Sequence, residues 1–249
     1  MNVKIPKIIH QVFGLWDNKM PKEIQRRIET WKRLHPKYEY ILWDKKKCRE
    51  FLKKHYDWFL HIYDRYPYHV QRADAIRYFI LYKYGGIYSD IDLEPSKSID
   101  AILKKYTHKE CILYKSPNSN MITNDFMISK PGNVFWKKVI SELISLHNFN
   151  SFSRHLTIMY STGPLFLDNI YENYGKKNKH VYIINNKYIN NCDVTITKPA
   201  KNKEAFLIRH DGRSWHSIDS VIIDFFIIYR KHILILIILL LIIKFFVLK

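Results

Sequence analysis

The chain has 249 residues, and its 41 lysines and arginines against 23 aspartates and glutamates give a formal charge of +18. That length allows one large domain or two small ones. The charge suits a phosphate-bearing partner, but the sequence holds no recognised nucleic-acid module and its lysines are scattered, so no nucleic-acid partner is expected. Cys48, Cys111 and Cys192 lie far apart without a Cys-x-x-Cys pair, which argues against a zinc site or a disulfide framework.

In chain order, Ile5 to Phe13 is apolar and β-branched and reads as a buried strand. Pro21 to Leu34 reads as a helix with proline near its start. Tyr38 to Trp43 reads as a second strand, and Asp44 is the N-cap of the helix after it. From His69 to Tyr84, Val70, Ala73, Ile76, Ile80 and Tyr84 recur at helical spacing, and Phe79 and Leu81 widen the stripe, so this helix is predicted to be mostly buried. Gly85-Gly86 ends it, since glycine tolerates the positive φ of a helix stop. Ile87 to Leu93 reads as one strand. Residues 100 to 216 mix strands and helices less regularly and are expected to shape the other side of the ligand site. The early alternation predicts an α/β sheet with its ligand at the carboxyl ends of the strands, where Phe13 and Asp92 would both lie.

The chemistry concentrates between Asp74 and Asp92. Asp74 and Arg77 are three apart on a helix and can touch, and buried charges are costly unless paired. On an unbroken strand Tyr88, Asp90 and Asp92 share one face. Two adjacent carboxylates repel, and a hard divalent cation, Mn²⁺ or Mg²⁺, relieves that repulsion. An Asp-x-Asp triplet alone is a weak signal, and a structural Asp/Arg cluster is the competing explanation. The helix, Gly-Gly and strand around it favour the metal site. His10 reads as a hydrogen-bonded core residue rather than a catalyst. Asn124 and Asp125 either face the ligands or form a turn. Trp16, Trp43 and Trp58 read as packing residues.

The stretch Tyr66-Pro67-Tyr68-His69-Val70-Gln71-Arg72-Ala73-Asp74 through Asp92 resembles the DXD-motif glycosyltransferases of the Och1 and inositol-phosphoceramide mannosyltransferase type (family 32). Ile5 to Gln11 is similar to their opening strand. Looser matches are Asn124 to Ser129, Pro131-Gly132, Thr162-Gly163-Pro164, His210 and Ser214-Trp215. The resemblance implies a GT-A, Rossmann-like nucleotide-sugar-binding fold and transfer with retention of configuration. It implies that Asp74 and Arg77 bind donor-sugar hydroxyls and that Asp90 and Asp92 hold the metal, with His210 as a further ligand. It puts Val12 and Phe13 at the base, Tyr88 near the donor, and Ser214 and Trp215 at the diphosphate. The expected donor is a nucleotide sugar, GDP-mannose first. The expected acceptor is a glycolipid such as inositol-phosphoceramide, with a regulatory membrane subunit as a further partner. A UDP-sugar transferase acting on an oligosaccharide, and a silent membrane-anchored sugar-binding protein, are the alternatives.

Ile233 to Ile243 is an unbroken apolar run, followed by Lys244 and then Phe245 to Leu248. Its eleven residues favour insertion by roughly 3–7 kcal/mol, against about 2.5–3.5 for a central lysine, and Lys244 can snorkel. Sixteen residues rise only about 24 Å against a core of about 30 Å, so a transmembrane or interfacial helix is expected. The expected division is a catalytic domain over 1–217 and a membrane-anchoring segment over 218–249. Arg230, Lys231 and His232 would keep the domain cytosolic by the positive-inside rule, whereas the resemblance implies a Golgi or endomembrane lumen. No hydrophobic N-terminal segment is present to deliver it there, and the membrane side stays open.

Overall fold

A computed structural model describes residues 4–16, 19–116, 120–178, 181–191, 202–210, 217–223 and 229. The chain begins with strand β1 (Ile8–Val12), helix α1 (Lys22–Leu34), strand β2 (Glu39–Trp43) and helices α2 (Lys45–His55), α3 (Asp57–Arg65) and α4 (His69–Tyr84). Strands β3 (Gly86–Ser89) and β4 (Leu93–Pro95), helix α5 (Asp100–Lys105) and strands β5 (Cys111–Tyr114) and β6 (Phe126–Ser129) follow. Helices α6 (Val134–Ser145), α7 (Arg154–Ser161) and α8 (Pro164–Asn173) precede strands β7 (Val181–Ile184), β8 (Ile189–Asn191) and β9 (Leu207–Arg209).

Six strands form a mixed sheet in the order β2-β1-β3-β6-β5-β7, with β1 parallel to both β2 and β3, and β6 antiparallel to both β3 and β5. Side chains alternate across it. Val12, Tyr88, Leu113 and Met127 face a core shared with α2, α3, α4, α6 and α8. Ile9, Ile87, Ile112 and Ile128 face the other core, closed by Trp31 of α1 and Ile102 of α5. A three-stranded sheet, β4-β9-β8, completes that second side. The result is an α/β layered domain.

The sequence-predicted strands and helices of residues 5–84 are present, and Asp44 caps α2 by accepting from the Lys47 N–H at 2.8 Å. Trp43 is buried, and Trp58, although half-exposed, packs on Phe59 and Phe79 as expected. One expectation fails. Ile87 to Leu93 is not one strand: it breaks into β3 and β4, which belong to different sheets. The Asp90 N–H leaves the ladder to reach the Asp125 carbonyl at 2.7 Å, and the Leu93 N–H closes a turn on the Asp90 carbonyl at 3.1 Å. β4 then pairs with β9, which the local pattern could not reveal. Ser214, Trp215 and the apolar run from Ile233 lie outside the described residues. Among the described residues no helix is long and apolar enough to cross a membrane.

α4 is buried from Ala73 through Leu81, as an apolar helix without a clear outer face should be. Its exit is fixed by backbone alone. Gly85 and Gly86 have φ of +63° and +89°, and a Cβ on either would stand 2.6 Å from Pro131 N or Ile8 O. Beneath this turn, buried His10 donates from Nε2 to the Gly85 carbonyl at 3.0 Å and accepts at Nδ1 from Trp43 Nε1 at 3.1 Å. It ties β1, β2 and the α4 exit together, a core role rather than a catalytic one.

Burial lowers the His10 pKa to about 4, against the raising effect of its bond to Gly85. A folded-state value below the unfolded 6.5 means that the unfolded chain takes up the proton first on acidification. The stabilisation is therefore present above pH 6.5 and lost as pH falls toward 4. Urea unfolding should give a loss of about 2 kcal/mol between pH 7 and pH 5 assignable to His10. That pH-dependent difference should vanish in His10→Phe, which will be less stable at neutral pH.

Candidate active site

Arg77 is the centre of a buried ion network. Its Nη2 meets Asp74 Oδ1 at 2.9 Å, one helical turn away. Its Nη1 meets Asp90 Oδ1 at 3.1 Å and donates to the Asn124 carbonyl at 2.7 Å, while Nε donates to the Ala73 carbonyl at 3.0 Å. The guanidinium lies 4.7 Å from the centroid of the Tyr88 ring. Asp74 and Arg77 are both only 4% exposed. Asp74 also accepts from Asn124 Nδ2 at 2.9 Å and from Thr162 Oγ1 at 3.2 Å. Burial pushes the Asp74 carboxyl up to about 7 against the opposing pull of Arg77.

Asp90 sits above this pair with its side chain still 30% exposed. The Tyr88 hydroxyl donates to its Oδ1 at 2.7 Å, and Gln11 Nε2 holds its carbonyl at 3.0 Å. Burial raises the Asp90 carboxyl despite Arg77. Burial, then Asp90 and then Asp125, push Asp92 up to about 7. The carboxylates are thus electrostatically coupled, although the turn, rather than one strand face, brings them together.

Asp92 Oδ1 and Asp125 Oδ1 are buried without a hydrogen-bond partner. Such orphaned carboxylate oxygens are costly, and their chemistry fits a hard oxygen-seeking cation. Arg209 pairs with the other side of Asp125 and donates to the Tyr114 hydroxyl at 2.6 Å. His210 does not complete a metal set with Asp90 and Asp92. Its backbone N–H binds the Asp92 carbonyl at 2.9 Å, but its Nε2 turns to Glu94 Oε2 at 2.8 Å. Arg26 grips the same carboxylate at 2.8 and 3.1 Å, so Glu94 already forms a strong anionic socket for the ring. Burial would raise the Glu94 carboxyl, but the bonds from His210 and Arg26 hold it below its ordinary value. Among the described residues no three His, Cys, Asp or Glu side chains gather to hold an ion by themselves.

The other expected site residues are placed unevenly. Val12 and Phe13 lie at the carboxyl end of β1, nine-tenths buried. Tyr88 is 1% exposed and supports Asp90 instead of presenting a free face. Gln11, Asp125, Thr162, Glu94 and Arg209 also shape the cluster. Asn124, Asp125 and Thr162 stand in stretches the family resemblance marked. Arg209 and Glu94 carried no signal beyond their nearness to His210 and Asp92.

The fold is α/β and of the GT-A type, and it carries this acid cluster beside its large sheet. For the fold, the chain superposes on the structure described as PaToxG Glycosyltransferase with a TM-score of 0.50 at 17% identity, covering 71% of this chain and 72% of that one. Residues 21–109 match the family described as "Glycosyltransferase sugar-binding region containing DXD motif". Inositol phosphoceramide mannosyltransferase 3 of Schizosaccharomyces pombe is 36% identical over 92% of this chain and 59% of its own length. Mannosyl phosphorylinositol ceramide synthase CSH1 of Saccharomyces cerevisiae is 36% identical over 98% of this chain and 61% of its own length. The chain is thus similar to DXD-motif glycosyltransferases over most of its length, and its residues 21–109 match their sugar-binding region. It spans about three fifths of the length of these curated relatives.

Arg77→Ala would strip Asp74 and Asp90 of their buried counter-ion, so that each must take up a proton or stay charged and unpaired. Removing one partner of a buried pair costs about 3–5 kcal/mol, and a loss near the lower end is expected because Asp90 is partly exposed. Denaturant unfolding should show it, and Asp74→Asn in the same chain should recover part of the loss.

Proposed function

We propose that this chain is a metal-dependent retaining glycosyltransferase that moves mannose from GDP-mannose to a glycolipid such as inositol-phosphoceramide. The observation that carries the reading is the exposed edge of Asp90, fixed by buried Arg77, beside the unpartnered Asp92 oxygen. The curated relatives support the choice of mannose and of an inositol-phosphoceramide acceptor. The donor's base would lie against Val12 and Phe13, and its diphosphate over Asp90 and Asp92. Ser214 and Trp215 are assigned to the diphosphate by resemblance alone. The catalytic unit is taken as 1–217, with 218–249 holding it at an endomembrane.

Asp92 and Asp90 would hold a Mn²⁺ or Mg²⁺ ion, with His210 able to join only by leaving Glu94. When bound, the ion would neutralise charge developing on the departing β-phosphate. Arg77 fixes the position of Asp90 before substrate arrives, so little reorganisation is needed as the transition state forms. Its fork is already engaged by Asp74, Asp90 and Asn124. A donor-sugar hydroxyl reaching Asp74 or Arg77 would therefore exchange with one of those bonds. In the same-face route, the anomeric carbon separates from the β-phosphate oxygen and the acceptor oxygen bonds on the side just vacated. The acceptor proton passes to the leaving phosphate.

Full-length protein in detergent with Mn²⁺ should consume GDP-mannose in preference to UDP-glucose, UDP-galactose and UDP-N-acetylglucosamine, and transfer mannose to inositol-phosphoceramide. Preference for a UDP-sugar would replace the donor assignment. Metal-dependent binding without turnover would favour a sugar-binding protein. Asp92→Asn should lower turnover by about 10²–10³-fold, the scale of losing one charge-stabilising group. It should also keep or raise metal-free stability, because one buried repulsive charge is gone. Undiminished turnover in that variant would sink the metal assignment.

A further inference from the structure

Residues 218–223 are helical, and this short helix is inverted relative to an ordinary surface helix. Its polar side faces the protein. Asp219 accepts from Ser153 Oγ at 2.6 Å, the His155 N–H at 2.8 Å, the Ser220 N–H at 2.9 Å and the Ser217 hydroxyl. Ser220 is fully buried, with its Oγ 3.0 Å from His155 Nδ1. Ile218, Val221 and Ile222 lie on the opposite face and are 81%, 64% and 50% exposed. Phe152, next to clamped Ser153, is 97% exposed, and Phe149 is partly exposed nearby in sequence. An apolar face displayed around a hydrogen-bonded clamp marks an interaction surface.

We infer that Phe149, Phe152, Ile218, Val221 and Ile222 form a bilayer-contact face where the start of the anchoring segment docks on the catalytic domain, separate from the apolar run farther along the chain. Two observations select a lipid surface over a protein partner. Ten residues beyond Ile223 the sequence enters the run Ile233 to Ile243, so that run starts within at most about 35 Å of the face. The chain's +18 charge, including Arg230 and Lys231 just ahead of the run, complements anionic headgroups. Apolar side chains entering the headgroup boundary beneath a basic body are the physical requirements of interfacial attachment. The face also bears on the site. Ser153 caps α7, and at its other end Thr162 donates to Asp74. Those eight helical residues are about 12 Å long, so the face would hold the acid cluster at a fixed height above the lipid. The inference goes beyond the sugar-transfer reading and stands without it.

The test uses full-length protein carrying Cys192→Ser, reconstituted in phosphatidylcholine vesicles with a minority of phosphatidylserine. An environment-sensitive fluorophore is attached at Phe152→Cys, Ile218→Cys or, as control, Ala101→Cys on α5 across the sheet; Cys48 and Cys111 are buried. Lipids bearing a doxyl group near the headgroup should quench positions 152 and 218 several times more strongly than 101. Aqueous iodide should show the reverse order. Iodide quenching at 152 and 218 without doxyl quenching overturns the proposal. Protection from both quenchers also overturns it, because a second copy or another part of this chain then covers the face.

Discussion

One arginine holds the acid cluster of this domain together. Arg77 is buried on α4 one helical turn from buried Asp74, and its guanidinium is shared among Asp74, Asp90 and the Asn124 carbonyl. A buried ion pair is not by itself a source of stability, since desolvation offsets its attraction. Its effect here is geometric. It pins a helix, the turn after β3 and the loop before β6 to one point, and every other group of the cluster is placed relative to that point.

The Asp90-Ile91-Asp92 turn is where the chain passes from the large sheet to the small one. Asp90 is anchored to the first through Gln11 and the Asp125 carbonyl, and Asp92 to the second through His210 N–H. The carboxylates are thus held by different frameworks. Among the described residues one oxygen of Asp92 and one of Asp125 are left without a donor, although Arg209 pairs with the other oxygen of Asp125. The division between frameworks also explains why Glu94, at the start of the small sheet, can engage both α1 and His210 and draw the imidazole away.

Much of the framework was legible because it is local. The apolar period of His69 to Tyr84 gave α4 with its ends, and Gly-Gly gave its stop. The contact between Asp74 and Arg77 followed from helical spacing. What the pattern could not carry were long-range choices. Alternation over Ile87 to Leu93 is compatible with one strand, and only pairing of β4 with a strand more than a hundred residues later breaks it. The capture of His210 by Glu94 spans 116 positions and depends on Arg26 from a third element. Tyr88 was placed on the same side as Asp90, but burial makes it a support instead of a ligand contact.

Gly85 and Gly86 set the separation between the paired charges of α4 and the first carboxylate of the turn, and neither can accept even a methyl group without backbone overlap. Val12 and Phe13, at the carboxyl end of β1, have apolar side chains outside the ion network and can be exchanged without touching that frame. The frame itself has no such neighbours in sequence space. A lineage of this domain can therefore drift at that apolar edge, while the spacing of the acid cluster can be altered only by a concerted change of several residues at once.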